Sequence, residues 1–152
     1  MAVVAAVRGE VARAVAGEPK SVMTRRERRA VDRAVREAED HTGLQFCIYL
    51  GPAEGDAHAR AESLFVEAGL HERPAVLVLV APDRRRVEVI TAPAVRDRLT
   101  DDAAARAIEE MTPYFAEGRY VFGLVSGLRR LADEAGPGTG PAARDLPNIL
   151  GE

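Results

Sequence analysis

The sequence predicts an α/β fold, a three-layer α/β/α sandwich around a small mixed sheet. Amphipathic helical stripes alternate with short strand patterns in the order helix, strand, helix, strand, strand, helix, helix. Residues 75–81 form a continuous apolar run, which is typical of a strand buried on both faces. A Pro-Asp-Arg turn at residues 82–84 follows this run and leads directly into another strand pattern. Layers of helices on both faces of one sheet account for all three observations.

The first predicted helix has a start signal and a stop signal. Thr24 and Glu27 have the spacing of a capping box, and Gly43 suits the left-handed residue that follows a helix. Between them, one apolar stripe at helical spacing is formed by Ala30, Val31, Ala34, Val35 and Ala38. Residues 44–50 then predict a strand that is apolar at nearly every position and therefore covered on both faces.

The second helix and the hairpin follow from the same kinds of signal. Asp56 is a plausible cap for a helix whose inner face carries Ala57, Ala61, Leu64, Phe65 and Ala68. The apolar run at 75–81 predicts the central strand. In residues 86–91, Val87, Val89 and Thr91 alternate with Arg86, Glu88 and Ile90, so this strand is expected at an edge of the sheet.

Two helices complete the predicted domain. Thr100 caps the first of them, and Asp101 and Asp102 place negative charge in its first turn. Pro113 is expected to kink or end this helix. The last helix covers about residues 120–135, where Gly123 and Gly127 predict close packing against another helix of the core.

The chain divides into three predicted parts. Residues 1–23 form an amphipathic amino-terminal segment with valines at helical spacing, residues 24–135 form the α/β domain, and residues 136–152 form a flexible tail rich in Gly and Pro. The amino-terminal segment has three open interpretations: packing on its own domain, pairing with another chain, or contact with a membrane. A protein partner is the expected kind of partner.

Composition excludes several classes of function. The 21 basic and 24 acidic residues leave a formal net charge of −3, so no global field favours nucleic acid. No stretch approaches the length of a membrane-spanning helix. Cys47, the one cysteine of the chain, cannot form an internal disulfide, which permits a cytoplasmic location without excluding export.

The topology predicts a candidate pocket at one end of the sheet. A right-handed crossover makes the first two strands parallel, and the hairpin makes the third antiparallel to both. The residues that enter the second strand then lie at the same end as those that leave the third, and the start of the next helix is close enough to join them. The predicted pocket residues are His71, Arg73, Thr91, Thr100, Asp101 and Asp102. No catalytic residue is assigned.

Two acidic pairs are candidate ligands for a hard cation such as Ca²⁺ or Mg²⁺, which prefer carboxylate oxygens. One pair is Asp101 with Asp102, and the alternative pair is Glu54 with Asp56. The structural explanation of the first pair is a helix cap with favourable charge, and that of the second is a solvated turn. His71 with Arg73 is a further candidate for holding a phosphate or a carboxylate.

Four segments in this order resemble the TPM domain family: residues 76–80 (VLVLV), 84–91 (RRRVEVIT), 99–101 (LTD) and 111–118 (MTPYFAEG), followed by Gly123 and Gly127. The first-helix ending His-Thr-Gly at 41–43 is similar to an actinobacterial branch of that family whose function is unknown. The resemblance covers roughly residues 24–135 and implies an α/β/α sandwich.

The resemblance and the residues lead to two hypotheses about function. The resemblance implies either a divalent-cation-dependent acid phosphatase or an assembly or repair factor. The sequence lacks a G-x-S-x-G elbow, an HExxH motif and a phosphate-binding glycine loop. We therefore predict a non-catalytic protein-binding or accessory module, with the phosphatase, acting through Asp101, Asp102 and Arg73, as the alternative.

Overall fold

The computed structural model describes residues 24–52, 55–82 and 85–138. The predicted amino-terminal segment, residues 1–23, and residues 139–152 of the predicted tail lie outside this range. The described elements occur in the predicted order: α1 (Arg25–Thr42), β1 (Gln45–Leu50), α2 (Ala57–Glu67), β2 (Ala75–Ala81), β3 (Arg86–Thr91), α3 (Asp101–Ala116) and α4 (Tyr120–Ala135). Short 3₁₀ turns at Leu70–Glu72 and Pro93–Val95 flank the hairpin.

The three described strands form a mixed sheet in the order β1-β2-β3. β1 pairs with β2 in parallel, with Gln45 opposite Ala75, and β2 pairs with β3 antiparallel, with Val76 opposite Thr91. All seven residues of β2 are buried, as expected for a central strand that is covered on both faces. The predicted strand directions are therefore confirmed.

Helices cover both faces of the sheet. Glu88 of β3 contacts His58 of α2, whereas Val87 lines a groove together with Phe115 of α3. Because neighbouring residues of a strand point to opposite faces, α2 and α3 lie on opposite sides of the sheet. α4 packs against both α1 and α3 and completes the second helical layer. The α/β sandwich predicted from the sequence is confirmed.

The capping residues also occupy their predicted places. Thr24 and Glu27 form the complete capping box, and Gly43 takes the left-handed conformation with φ 76°. The Asp56 carboxylate accepts a hydrogen bond from the Ala59 amide at 3.1 Å, and the Thr100 hydroxyl accepts one from the Ala103 amide at the same distance. These caps satisfy amide groups that have no partner inside their own helix.

Pro113 does not end α3, which continues to Ala116. Of the two expectations for this proline, a kink or an end of the helix, the end is wrong: the helix continues although the proline ring removes the amide donor that would pair one turn earlier. Directly before the proline, the Thr112 hydroxyl donates to the Ile108 carbonyl at 2.7 Å. The helix therefore carries Tyr114 and Phe115 beyond the proline, and this extension shapes the site described below.

Close packing of α3 and α4 depends on the two glycines that the sequence singled out. A Cβ atom added at Gly127 would lie 2.5 Å from Cγ of Met111, and one added at Gly123 would lie 2.8 Å from Cδ1 of Phe115. Distances this short require side chains of α3 to move. The glycines let the two helices approach closely and fix where the end of α3 lies against the start of α4.

A buried glutamate joins α1 to β1. Glu39 is only 7% exposed, and its Oε2 accepts a hydrogen bond from the Phe46 amide at 3.0 Å. A buried carboxylate is stabilised only when such donors reach it. This contact satisfies a backbone group of the strand and fixes the end of α1 beside the sheet.

His58 connects α2 to the edge strand β3. Its Nδ1 lies 2.9 Å from Oε1 of Glu88, and its Nε2 lies 3.2 Å from Oε2 of Glu62. The hydrogen bond to Glu88 raises the pKa of His58 above its ordinary value of 6.5, and the charge of Glu62 adds to the effect. The protonated imidazole therefore stabilises the folded state.

We expect His58→Gln to destabilise the protein more at pH 5.5 than at pH 8.5. The raised pKa gives a stabilisation that is complete below the unfolded value and is lost as the pH rises through the folded value. Because the imidazole is half exposed, screening limits the loss to about 0.5 kcal/mol. Urea unfolding at the two pH values measures this loss of stability. The control is the same His58→Gln change made in a Glu88→Gln variant. An equal loss at both pH values would contradict the assignment.

Candidate functional site

The strand register brings two of the predicted pocket segments to one end of the sheet, which we call the rim. Val76 pairs with Thr91, and the Ala92 amide donates to the Ala75 carbonyl at 3.0 Å. The 3₁₀ turns Leu70–Glu72 and Pro93–Val95, which flank these strands, contact each other. The chain before β2 and the chain after β3 therefore lie side by side at the rim.

Among the described residues, no hydrogen bond or ion pair joins the side chains of the rim residues His71, Arg73 and Thr91 to one another. Thr91 is 9% exposed, and its carbonyl accepts a weak hydrogen bond from Arg96 at 3.4 Å. His71 is exposed and lies 3.7 Å from the neighbouring Glu72. The half-buried Arg73 makes no side-chain hydrogen bond or ion pair with any other residue that the structure describes.

Thr100, Asp101 and Asp102 lie at the start of α3. Thr100 is the cap, and both aspartates are exposed in the first turn, where the helix dipole favours negative charge. Within residues 24–52, 55–82 and 85–138, neither carboxylate forms a hydrogen bond or an ion pair, and neither contacts Arg73 in this way. Their place in the structure is explained by capping.

The structure describes both residues of one candidate cation site, Asp101 with Asp102, but only one residue of the other, Asp56. Asp56 caps α2 through its carboxylate, and its proposed companion Glu54 lies outside the described residues. Among the described residues, no group of three or more His, Cys, Asp or Glu side chains is placed to hold a metal ion. Since Ca²⁺ and Mg²⁺ take six or more oxygens, Asp101 with Asp102 would supply only part of a coordination shell.

Arginines at the rim stabilise helix ends. Arg98 donates to the carbonyls of Ala135, Gly136 and Pro137 at the end of α4, the shortest of these bonds being 2.7 Å. Arg106 of α3 forms two hydrogen bonds with the Glu134 carboxylate, at 2.8 and 2.9 Å. These hydrogen bonds lower the pKa of Glu134 to about 2. The closest charged contacts at the rim are therefore structural.

We expect Glu134→Gln to lower the melting temperature at pH 7. The lowered pKa gives a stabilisation that is present above the ordinary value of 4.5 and is lost as the pH falls through about 2. The difference between the wild type and the variant should accordingly shrink as the pH is lowered from 5 toward 2. Melting curves across this range measure the difference, and a gap that does not change with pH would contradict the role given to Arg106.

A groove with a volume of about 450 Å³ lies at the other end of the sheet, which we call the hairpin end. It lies between the β2–β3 hairpin and the junction of α3 and α4. Its apolar lining comes from both strands and both helices and includes Val80, Val87, Phe115 and Tyr120. The size is within the range of about 300 to 1,000 Å³ that is typical of ligand pockets.

Beside the groove, Tyr114, Arg119 and Phe122 form an aromatic–arginine cluster. The rings of Tyr114 and Phe122 stack with centroids 6.4 Å apart, and the Arg119 guanidinium lies 4.4 Å from the Phe122 centroid and 5.6 Å from that of Tyr114. Phe122 is nevertheless 61% exposed. The cluster adjoins the groove because Gly118 and Tyr120, the neighbours of Arg119 in the chain, line it.

Sequence reasoning missed this cluster, although the chain carried a signal for it. Four of the seven aromatic residues of the chain fall within residues 114–122. Because Pro113 was expected to kink or end the helix, Tyr114 and Arg119 had no predicted position relative to Phe122 of the last helix, and the three were not assigned to a common surface. The candidate residues chosen from the sequence lie mainly at the rim, whereas the described groove lies at the hairpin end.

The family model for the TPM domain matches residues 18–134. The chain belongs to the TPM domain family. Two proteins of Mycobacterium tuberculosis, one from each of two strains and both described as uncharacterized, are 31% identical to this TPM domain protein over 109 residues. The matched region spans 72% of this chain and 65% of each relative.

Solved structures share the TPM fold at low sequence identity. The BA42 protein of Bizionia argentinensis has a TM-score of 0.71 at 22% identity, with 80% of this chain and 88% of that chain covered. The amino-terminal domain of a protein from P. gingivalis has a TM-score of 0.66 at 20% identity, with coverage of 86% and 80%. Both comparisons support the α/β architecture of the TPM domain described above.

None of the described helices of this TPM domain combines the length and the apolar character that crossing a bilayer requires.

Proposed function

We propose that this TPM domain is a non-catalytic binding module that engages a protein partner at its hairpin end. The observation that carries the proposal is Phe122, which is 61% exposed while Arg119 lies over its ring at 4.4 Å. We define the docking surface as Tyr114, Arg119 and Phe122 together with the adjoining groove. From the sequence alone, a protein partner is expected at the sheet edge, at the Gly- and Pro-rich tail or at the amino-terminal segment, and the docking surface is a different place.

The composition of the docking surface supports binding. Tyrosine, phenylalanine and arginine are enriched at protein interfaces, and tyrosine and arginine are also enriched among hot-spot residues. Among the described residues, the large hydrophobic side chains that are exposed are Val66 and Phe122. Stacking on Tyr114 and Arg119 restricts the Phe122 ring before a partner arrives, which reduces the entropy lost on binding.

Two nucleophilic residues of the described domain, Cys47 and Ser126, are enclosed or hydrogen-bonded. Cys47 is 1% exposed in the middle of β1, where an inert thiol is expected. The Ser126 hydroxyl donates to Glu110 at 2.9 Å across the α3–α4 contact.

The buried, single cysteine also supports a cytoplasmic location, which we propose for this chain.

A phosphatase remains the second candidate function, and Arg73 is the observation that favours it. Its guanidinium lies at the rim without a side-chain partner among the described residues, so it is available to an anion. In this alternative, a divalent cation at Asp101 and Asp102 would polarise a phosphoryl oxygen or activate water. The family resemblance is its main support.

A photo-crosslinking experiment tests the binding proposal. A photoreactive phenylalanine analogue replaces Phe122 in the full chain, and the same analogue at Val66 is the matched control, because Val66 is 56% exposed on α2 on the opposite face of the sheet. We expect a discrete adduct from a native lysate at position 122 that disappears when Arg119→Ala is added. The same adduct at position 66, or no adduct at position 122, would contradict the proposal.

An activity assay separates the two candidate functions. Purified wild type and an Asp101→Ala, Asp102→Ala variant are given a generic phosphate ester across pH with Mg²⁺ or Ca²⁺. The binding module predicts that the two proteins release phosphate at the same background rate. Cation-dependent release by the wild type that the double variant lacks would replace the proposed function by the phosphatase.

A further inference from the structure

We infer that the docking surface binds an acidic segment of a partner protein, which inserts a bulky apolar side chain into the groove. This inference rests on the proposed function and adds the chemistry of the partner to it. Two independent properties of the described residues support it, namely the sign of the charges around the groove and the apolar character of its walls.

The charged residues that line the groove, within the described part of the chain, are both arginines, Arg85 and Arg86. The Arg86 guanidinium bonds to Glu88 at 2.8 Å, whereas the exposed Arg85 side chain forms no hydrogen bond or ion pair within the described part of the chain. Arg85 is therefore the first candidate to receive a carboxylate of the partner.

Arg119 supplies a second cation at the edge of the groove. Its nearest carboxylate is Glu117, at 3.5 Å, and both side chains are about half exposed or more, at 47% and 65%. Ion pairs between exposed side chains contribute little, so a partner carboxylate competes easily with Glu117. The guanidinium is held over Tyr114 and Phe122, which orients its donors before binding.

Further arginines lie toward the same end of the molecule. The Gly138 amide donates to the His41 carbonyl at 2.8 Å, so the carboxyl ends of α1 and α4 meet at the rim. Because α1 packs along α4, its first residues lie toward the hairpin end. These residues include the exposed Arg25, Arg26 and Arg29, which outnumber Glu27 of the same turn and add positive charge at this end of the molecule.

The apolar walls explain why an acidic segment alone is insufficient. Val80 and Val87 pair across the two strands, and Phe115 and Tyr120 pack against each other with centroids 5.6 Å apart. All four line the groove, and its volume of about 450 Å³ accommodates a large side chain. Arginines around an apolar cavity match carboxylates that flank a leucine or phenylalanine.

The shape favours a protein segment over an anionic membrane. A membrane surface is bound by apolar side chains that project from a convex face together with cations. Here Phe122 is stacked under Arg119, and the apolar residues beside it line a concave groove. A flat lipid surface cannot fill such a groove, whereas a side chain of a peptide can.

NMR titration of the ¹⁵N-labelled full chain tests the inference with three synthetic peptides and one vesicle. The first peptide has aspartates and glutamates around a central Leu-Phe pair, the second replaces every acid by its amide, and the third keeps the acids but replaces Leu-Phe by Gly-Ser. The vesicles contain phosphatidylglycerol. We expect the first peptide to shift the amide signals of Val87, Phe115 and Tyr120 and to bind at least tenfold more tightly than either other peptide.

Three arginine variants test which positive charges bind the acidic peptide. Arg119→Gln and Arg85→Asn should each weaken binding of the acidic peptide about tenfold, while Arg129→Gln, an exposed arginine elsewhere on α4, should leave it unchanged. Asparagine is chosen at position 85 because φ there is 52°, which asparagine tolerates well. All three side chains are exposed, and matching melting curves verify that the variants fold.

Equal binding of the amide peptide, shifts confined to the rim, or binding of the vesicles alone would overturn the inference. Failure of the peptides with a crosslink still formed at position 122 would refute the acidic partner and leave the binding module in place. Absence of the crosslink would refute the binding module itself, so the two failures are distinguishable.

Discussion

Replacing Gly127 by valine is expected to lower the free energy of unfolding by about 3 kcal/mol, near the upper end of what overpacking of a core costs. A Cβ atom at this position would lie 2.5 Å from Cγ of Met111, which is itself only 1% exposed and has little room to move. The branched side chain adds two methyl groups at the same contact. The variant tests whether the α3–α4 junction that supports the docking surface is closely packed. Urea unfolding measures the loss.

Two further variants distinguish overpacking from an effect on the helix alone. Gly127→Ala adds the same Cβ atom but gains about 1 kcal/mol of helix propensity, so its net loss should be smaller. Combining Gly127→Val with Met111→Ala removes the contacted side chain, and the double variant should lose less stability than the sum of the two single losses. Strict additivity would show that Met111 is not what the valine meets.

Replacing Phe122 by alanine is expected to weaken partner binding about 30-fold while leaving stability within about 0.5 kcal/mol. The binding loss follows from the place of the ring, which is stacked with Tyr114 and Arg119 and would be buried by a partner. The small change in stability follows from its 61% exposure in the isolated domain. Melting curves and a binding titration with the captured partner measure the two effects separately.

Val66→Ala is the matched control for Phe122→Ala. Val66 is 56% exposed on α2, on the opposite face of the sheet, so its removal should change neither binding nor stability appreciably. An equal loss of affinity in both variants would indicate a general hydrophobic effect. Unchanged affinity in Phe122→Ala would remove the cluster from the interface.

Local signals predicted much of this fold. The continuous apolar run of β2 and the alternation in β3 identify a buried strand and its edge neighbour, and the register of Val76 with Thr91 agrees with the predicted hairpin. The caps at Thr24, Asp56 and Thr100 involve residues only three positions apart, so their chemistry is visible in the sequence. Family membership agrees with the resemblance found in the sequence.

Local sequence signals did not predict the docking surface because it is assembled from distant parts of the chain. Val87 and Phe115 meet at the groove although 28 positions separate them, as their numbering shows. Two local features made the docking surface hard to predict from the sequence. Pro113 does not end α3, and the missing side chain of Gly123 makes room for Phe115. Asp101 and Asp102, predicted as candidate ligands, lie in the first turn of α3, where negative charge is favourable, and their role as ligands stays a prediction.

Hydrogen–deuterium exchange of the full chain, with and without the partner captured at position 122, tests the central claim most directly. The account predicts that binding slows exchange in residues 112–122 and 85–89, which form the hairpin end. Slower exchange in residues 71–75 and 91–102, with the hairpin end unchanged, would contradict it and place the function at the rim.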